Sequence, residues 1–584
     1  MDDSRLTHLV NEFQAGRIDR RQLLRRAVAA GLSAPAVGLL LGQGANAASP
    51  AKVIALAAAP NRQVDATTLV IADNMSSGGL WLSLDPGRFY EVNPGPLMNL
   101  VYEPLYHLPD SSQPDVFEPL LASDMPEIST DGLEATVRLR EGVTFQSTGN
   151  PMTADDVVYS LNRTRTLKDN PSYLAEYWDS VEAVDPLTVK FTLPAPNPAL
   201  VAILTSTPLA VMDSVAVTEQ GGTGVAATEE GSEATPGAGE PDSATEWLNE
   251  NSAGTGPFMI SQWDPNGEVI VERNPDYWGV PPALDRVIWR NVVDANTQLQ
   301  AIQTGEADIA FAIDPDAVSQ VEEDDTLQLL SGESISFEYL AMHNAEEPGG
   351  PLAVKELRQA IAYAIDYDGI IDSLLTGAAV RPATIVPLPM PGSETVQADA
   401  YQTDLARAQE LFDGTGLGEV EITLSYRADG QGQGGVDEET LATKLQSDLQ
   451  QINGLTVTLA PTDANTWIAD FRASQLQCTL APWGPDYPDI QSYVEPFGRT
   501  GEGVAQRVGY SNATVDETLD QIVVETDDAA KEELYTTVQR TLIDDVPYVV
   551  LFQPTERKPA RAVVEGVTVH YLYGLQLRYA SKTA

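Results

Sequence analysis

The chain has 584 residues, 43 % of them hydrophobic and 20 % charged, an ordinary globular usage that excludes miniproteins and wholly disordered chains. Its 34 Lys and Arg against 85 Asp and Glu leave a formal net charge of −51, which repels nucleic-acid phosphates and anionic headgroups, so neither is an expected partner. A single cysteine, Cys478, and four histidines exclude an internal disulfide and a multi-thiolate zinc site, and no metal or cofactor is expected.

Residues 1–47 read as an export signal of the twin-arginine type. Arg20-Arg21 precedes Gln22, two leucines and Arg25, an apolar stretch runs from Ala27 to Leu41, and Ala45-Asn46-Ala47 offers a small-residue cleavage site. The apolar stretch falls short of the ~20 residues a spanning helix needs. The mature chain is therefore expected in the periplasm or on the outer face of the cytoplasmic membrane, after a flexible Ala-rich leader at 48–64. Beyond it, β-type runs (Thr67 to Ala72, Ala135 to Leu139, Thr188 to Leu193) alternate with helical stretches (Thr153 to Arg163, Leu352 to Leu375, Lys531 to Asp544), a mixture that predicts an α/β or α+β protein. Thr153 can cap the first of these helices, with Asp155 and Asp156 facing the positive end of its dipole. At about 219–250 the composition shifts to Gly, Ala, Thr, Ser, Pro and Glu, predicting a disordered acidic insertion that covers Gln220 to Ala244 at least. Gln431 to Gly435 reads as a second, shorter flexible loop.

Catalytic signatures are absent. The chain has no GxxxxGK[ST], GxSxG or HExxH run, and Cys478 lies in an apolar stretch where an inert buried thiol is expected. Only a glycosidase, which needs two carboxylates at the right separation, stays open among the enzyme classes.

A set of segments then falls in a recognisable order: Tyr102-Glu103-Pro104-Leu105-Tyr106, Glu141-Gly142-Val143-Thr144-Phe145, Met152-Thr153-Ala154-Asp155-Asp156, Gly254-Thr255-Gly256-Pro257-Phe258, Asn274-Pro275-Asp276-Tyr277-Trp278-Gly279, Gly305-Glu306-Ala307-Asp308, Leu357-Arg358-Gln359-Ala360 and Trp483-Gly484-Pro485-Asp486-Tyr487. From about Asp65 to about Val569 this order resembles the family 5 extracellular solute-binding proteins, the dipeptide and oligopeptide receptors of ABC importers. The resemblance implies an α/β, two-lobed periplasmic-binding-protein fold of the class II type that closes on its ligand. Lobe 1 would take residues 65–340 plus 553–584, with an extra subdomain at about 107–200, and lobe 2 residues 341–552. The crossing strands would lie near Tyr339 to Met342 and Val549 to Gln553.

It also implies a non-catalytic monomer that captures a small solute, a peptide first and an oligosaccharide next, and delivers it to a membrane permease. Metal chelates are a third ligand class, and a glycosidase-like hydrolase is the competing reading. In peptide-binding relatives an aspartate of the Trp483 to Asp489 segment pairs with the ligand's α-ammonium group, and Asp486 occupies that position. Trp483 and Tyr487 would offer stacking faces, and Trp467 and Trp81 are further ligand-binding candidates. Arg273 with Asp276 is expected to join the Asn-Pro turn to a neighbouring element.

Overall fold

The computed structural model describes residues 66–583 apart from 76–80, 90–93, 224–241, 429, 431, 526 and 573. The signal peptide and leader expected at 1–64 lie outside the described residues.

The apolar run Thr68–Asp73, buried on both faces, forms the parallel centre of a sheet, between Arg286–Asn291 and Ile309–Ala310. Glu268–Arg273 and Phe258–Gln262 extend it antiparallel. In the other half of the same twelve-stranded sheet, Val420–Arg427 runs parallel to Leu455–Thr462 and to Cys478–Trp483, and the latter pairs with Phe337–Met342. One long strand, Tyr548–Arg561, joins the halves. Its start pairs with Phe337–Met342 and its end with Leu327–Glu333 and Ile309.

Each half buries its own core. Leu69, Ile71, Val271 and Trp289 belong to the first. In the second, period-two alternation along Phe337–Met342 sends Leu340 and Met342 to one face and Phe337, Tyr339 and Ala341 to the other. A third core, Leu105 to Val211, lies under the four-stranded antiparallel sheet Glu127–Ile128, Glu134–Arg138, Thr188–Thr192 and Ser180–Asp185 and the helix Ala154–Leu167. This is the two-lobed fold with an extra subdomain, expected at about 107–200.

The chain crosses between lobes at Ser334 to Ser336 and at Gln553-Pro554, where the ladder Glu333↔Thr555 gives way to Glu338↔Phe552. Along Phe337–Met342, on either side of the boundary expected at 340/341, the apolar side chains pack in the same two cores of the second half of the sheet. Gln553 clamps the crossing: its buried amide donates to the carbonyls of Ser334, at 2.6 Å, and Leu388, and accepts from the Leu388 N–H at 2.8 Å.

The family-like segments turn out to be joints. Glu103 is fully buried and accepts from Thr255 Oγ1 (2.8 Å), the Tyr277 hydroxyl (2.8 Å), Trp278 Nε1 (2.9 Å) and Arg578 Nη1 (2.7 Å), so three separate motifs meet on one carboxylate. Gly256 is required by close approach, since a Cβ there would stand 2.3 Å from the Leu100 carbonyl oxygen. Gly256→Ala is expected to cost at least ~1–3 kcal/mol in urea unfolding, and an unchanged midpoint would disprove that constraint. Arg273 pairs with Asp285 and not with Asp276, whose backbone N–H is instead accepted by Asn274 Oδ1 at 3.0 Å. Asp156, more than a dipole partner, accepts from the Thr153 N–H at 2.8 Å and from the Ser214 hydroxyl at 2.6 Å, tying two helix starts together.

The acidic insertion is expected at about 219–250. Residues 224–241 lie outside the described residues, but Ser214–Glu219 and Thr245–Glu250 are helices, and Asp242 pairs with Arg163 at 2.9 Å. Composition alone could not register Asp242, because its partner lies 79 residues away. The Gly-rich loop after Arg427 carries a 3-10 turn, Gln433–Gly435, and the Gln433 N–H donates to Glu338 Oε2 at 3.0 Å.

Candidate functional site

In open α/β sheets, ligands sit outside the carboxyl ends of the parallel strands. Here those ends carry Asp73 and Phe311 in the first lobe and Arg427, Thr462 and the Trp483–Asp489 segment in the second.

On the first-lobe side, Asp73 closes the apolar strand and is buried. Burial pushes its carboxyl up to about 6, against the Lys558 charge, the Asn74 N–H and the Trp81 indole, whose Nε1 donates at 3.3 Å. Trp81 is itself buried, its ring centroid 6.1 Å from those of Trp263 and Trp289. Lys558 Nζ lies 4.4 Å from the Phe311 ring centroid and 3.0 Å from Glu556 Oε2, a cation between an aromatic face and a carboxylate.

On the second-lobe side, Trp483 ends its strand half-buried and packs edge-on against Phe497 at 4.9 Å; its buried Nε1 has no hydrogen-bond partner among the described residues. Asp486 is half-buried, and its charge is felt by the hydroxyls of Tyr177, Tyr487 and Tyr493. Asp489 serves the backbone instead. Its Oδ1 accepts from the Gln491 N–H at 2.8 Å at the start of the helix Gln491–Gly498, and burial pushes its carboxyl up to about 6. Tyr487 is buried in the core of the extra subdomain, with its hydroxyl 3.2 Å from that of Tyr177.

Trp483, Asp486 and Tyr487 thus come together on one turn. Trp467 does not join them: it is core, donating to Thr479 Oγ1 at 2.8 Å beneath the Arg427 guanidinium. Trp81 belongs to the first-lobe wall and is committed to Asp73. Sequence reasoning missed Asp73, Lys558 and Tyr177, for which the only signal was an aspartate ending the apolar run Leu69 to Ala72.

Among the described residues no cluster of three His, Cys, Asp or Glu could hold a metal ion, and no helix is long and apolar enough to cross a membrane. Burial pushes the Cys478 thiol up to about 12, which keeps it protonated and unreactive. His570 is held down to about 4 by burial, with Nε2 at 3.0 Å from the Leu108 carbonyl and Nδ1 accepting from the Leu572 N–H.

The family model for bacterial extracellular solute-binding proteins, family 5 (middle region), matches residues 116–504. The chain is 30 % identical to the glutathione-binding protein GsiB of Pectobacterium atrosepticum, over 82 % of this chain and 88 % of that one. It is 25 % identical to the probable D,D-dipeptide-binding periplasmic protein DdpA of Escherichia coli, over 75 % and 80 %. Among solved structures, the fold matches the periplasmic binding protein DppA of Helicobacter pylori in complex with the peptide STSA, with a TM-score of 0.70 at 21 % identity, covering 88 % of this chain and 98 % of that one. It matches the dipeptide-binding protein of Pseudoalteromonas sp. SM9913 in complex with Met-Leu with the same TM-score and identity, covering 88 % and 100 %. With two lobes joined by crossing strands and a family match over two thirds of its length, this chain belongs to family 5 of the bacterial extracellular solute-binding proteins.

Proposed function

We propose that the chain captures a small peptide between its lobes and delivers it to the permease of an ABC importer, acting as a monomer without catalysis. Its location would be extracytoplasmic, reached through the twin-arginine-type signal at 1–47. One observation carries the ligand class. At the carboxyl end of the second-lobe strand Cys478–Trp483, the charge of half-buried Asp486 raises the hydroxyls of Tyr177, Tyr487 and Tyr493, and the buried indole N–H of Trp483, three residues earlier, has no hydrogen-bond partner among the described residues. A peptide's α-ammonium would bring charge together with directed donors to a carboxylate at this position, and that complementarity supports the ligand class. The peptide's first carbonyl is an acceptor of the kind the Trp483 indole needs. The names of the relatives, which bind glutathione, dipeptides and short peptides, support the same class.

Calorimetry with Met-Leu, glutathione and N-acetyl-Met-Leu tests this reading. Free-amino peptides are expected to bind, while acetylation or Asp486→Asn weakens binding at least ~30-fold, the cost of breaking a desolvated charge pair. Equal affinity for the acetylated peptide, or for the variant, rejects the ammonium role of Asp486. Binding only of oligosaccharides would move the ligand to that class, and release of cleaved sugar would revive the hydrolase reading.

A further inference from the structure

The extra subdomain is fixed to the first lobe. Gln146 Nε2 donates to the carbonyls of Gly256 and Phe258 at 2.6 and 2.7 Å, the hydroxyls of Ser147 and Thr148 donate to Asp213, and the Val211 N–H meets the Glu103 carbonyl at 3.0 Å. The Trp483–Asp489 segment is just as firmly part of the second lobe, between a central strand and the helix that Asp489 starts. Yet the two meet. The Tyr487 ring is buried in the subdomain's core, edge-on to Tyr177 at 5.9 Å with the hydroxyls 3.2 Å apart, and Ser206 Oγ donates to the Asp486 carbonyl at 3.2 Å. These contacts join residues 310 and 280 positions apart in the chain, from the extra subdomain to the second lobe. They hold the backbone of the two residues that carry the carboxylate and its flanking ring.

We propose that the extra subdomain is the latch of the crevice, Tyr177 and Ser206 being positioning residues that grip Tyr487 and Asp486 when the lobes meet, an inference that rests on the capture function proposed above. Parting the lobes withdraws the Tyr487 ring from an apolar core and breaks both hydrogen bonds, so the latch biases the molecule toward closure before any solute arrives. The Asp486 carboxylate is presented by a segment braced from both lobes only in that closed form, and closure therefore sets affinity as well as access.

The experiment reads lobe separation without solute. Val184 on the subdomain and Val524 on the second lobe are 59 % and 67 % exposed, and Val184→Cys with Val524→Cys carries a pair of spin labels. Native Cys478, buried with its thiol pushed up to about 12, resists labelling. The labelled protein is expected to show a closed population. Tyr177→Phe and Ser206→Ala, each removing one hydrogen bond, should lower its closed-to-open ratio about five-fold apiece and ~25-fold together, with Ser206→Thr restoring the ratio. A labelled parent that is wholly open, or a ratio unchanged in the double variant, overturns the latch. Failure of any peptide to bind the unlabelled protein would instead reject the peptide reading and leave the label distances to decide the latch.

Discussion

Replacing Arg163 with methionine is expected to lower the unfolding free energy by ~3–5 kcal/mol, the penalty for leaving buried carboxylates without their cation. The Arg163 guanidinium is fully buried and makes a bidentate pair with Asp85 at 2.6 and 2.7 Å and a second with Asp242 at 2.9 Å, while Thr245 Oγ1 adds a bond to Asp85 at 2.7 Å. Burial pushes Asp242 up, but the bonds and charge of Arg163 and the N–H groups of Thr223 and Ala244 outweigh it and hold the carboxyl below its usual range. A carboxylate depressed in this way contributes stability that is present above its unfolded pKa and lost as pH falls through the folded one. The variant should therefore lose less than the parent on acidification below about pH 4. Urea unfolding at pH 7 and pH 3.5 measures both effects. A loss under ~1 kcal/mol at pH 7 would show that water or a rearranged partner replaces the guanidinium. The triad also links residues on both sides of 224–241, so a local defect should appear as faster proteolysis at Thr223 or Asp242 before the rest of the chain opens.

Replacing Glu338 with glutamine should flatten the pH dependence of stability between pH 4.5 and 8. Glu338 is fully buried beside the lobe crossing. One carboxyl oxygen accepts from the Gln433 N–H, and the other has no hydrogen-bond partner among the described residues. Burial pushes its pKa up to about 8. The Gln433 bond opposes this, the Glu438 charge adds to it, and Arg427, itself paired with Glu438, opposes it. Between the ordinary value of 4.5 and about 8 the folded chain holds a proton that the unfolded chain has released. Stability is therefore fully present below pH 4.5 and declines as pH rises, by about 1.4 kcal/mol per pH unit at most. Glutamine matches the protonated form in shape and removes the titration. The variant is expected to gain on the parent as pH rises, toward a ceiling of ~5 kcal/mol near pH 8. Unfolding midpoints at pH 5, 6.5 and 8 that stay a constant distance apart would reject this.

What could be read from the sequence was what is local in it. The runs ending at Ala72, Leu139 and Leu193 appear as Thr68–Asp73, Glu134–Arg138 and Thr188–Thr192, and the stretch Lys531 to Asp544 lies inside the helix Asp528–Asp545, because apolar period and capping act within a few residues. The expected helix Leu352 to Leu375 breaks at Ile365, where Asp366 accepts from the Gly369 N–H and starts a new turn; Asn and Asp divert a helix by such bonds without disturbing its apolar spacing. The Trp483–Asp489 turn was legible because its residues are contiguous. Asp73 and Lys558, Arg163 and Asp242, and Tyr177 and Tyr487 were not, since each pairing is made by topology across tens to hundreds of residues. Trp467 shows the converse: an aromatic residue in the right lobe is a core residue when its indole N–H is already satisfied by Thr479.

The strand that joins the lobes is made after every strand it pairs with. Tyr548–Arg561 pairs with strands of both lobes, which begin at Thr68 and Phe337. At synthesis rates of about 5–20 residues per second, the first half of the sheet waits roughly half a minute to a minute and a half for this strand, and the second roughly ten to forty seconds. Until then the long-range ladders are incomplete and their loop-closure entropy is uncompensated, a topology associated with slow folding. A nascent chain halted before Tyr548 should therefore be sensitive to protease and bound by chaperones over both halves, although nearly all of the first lobe's residues have already been translated.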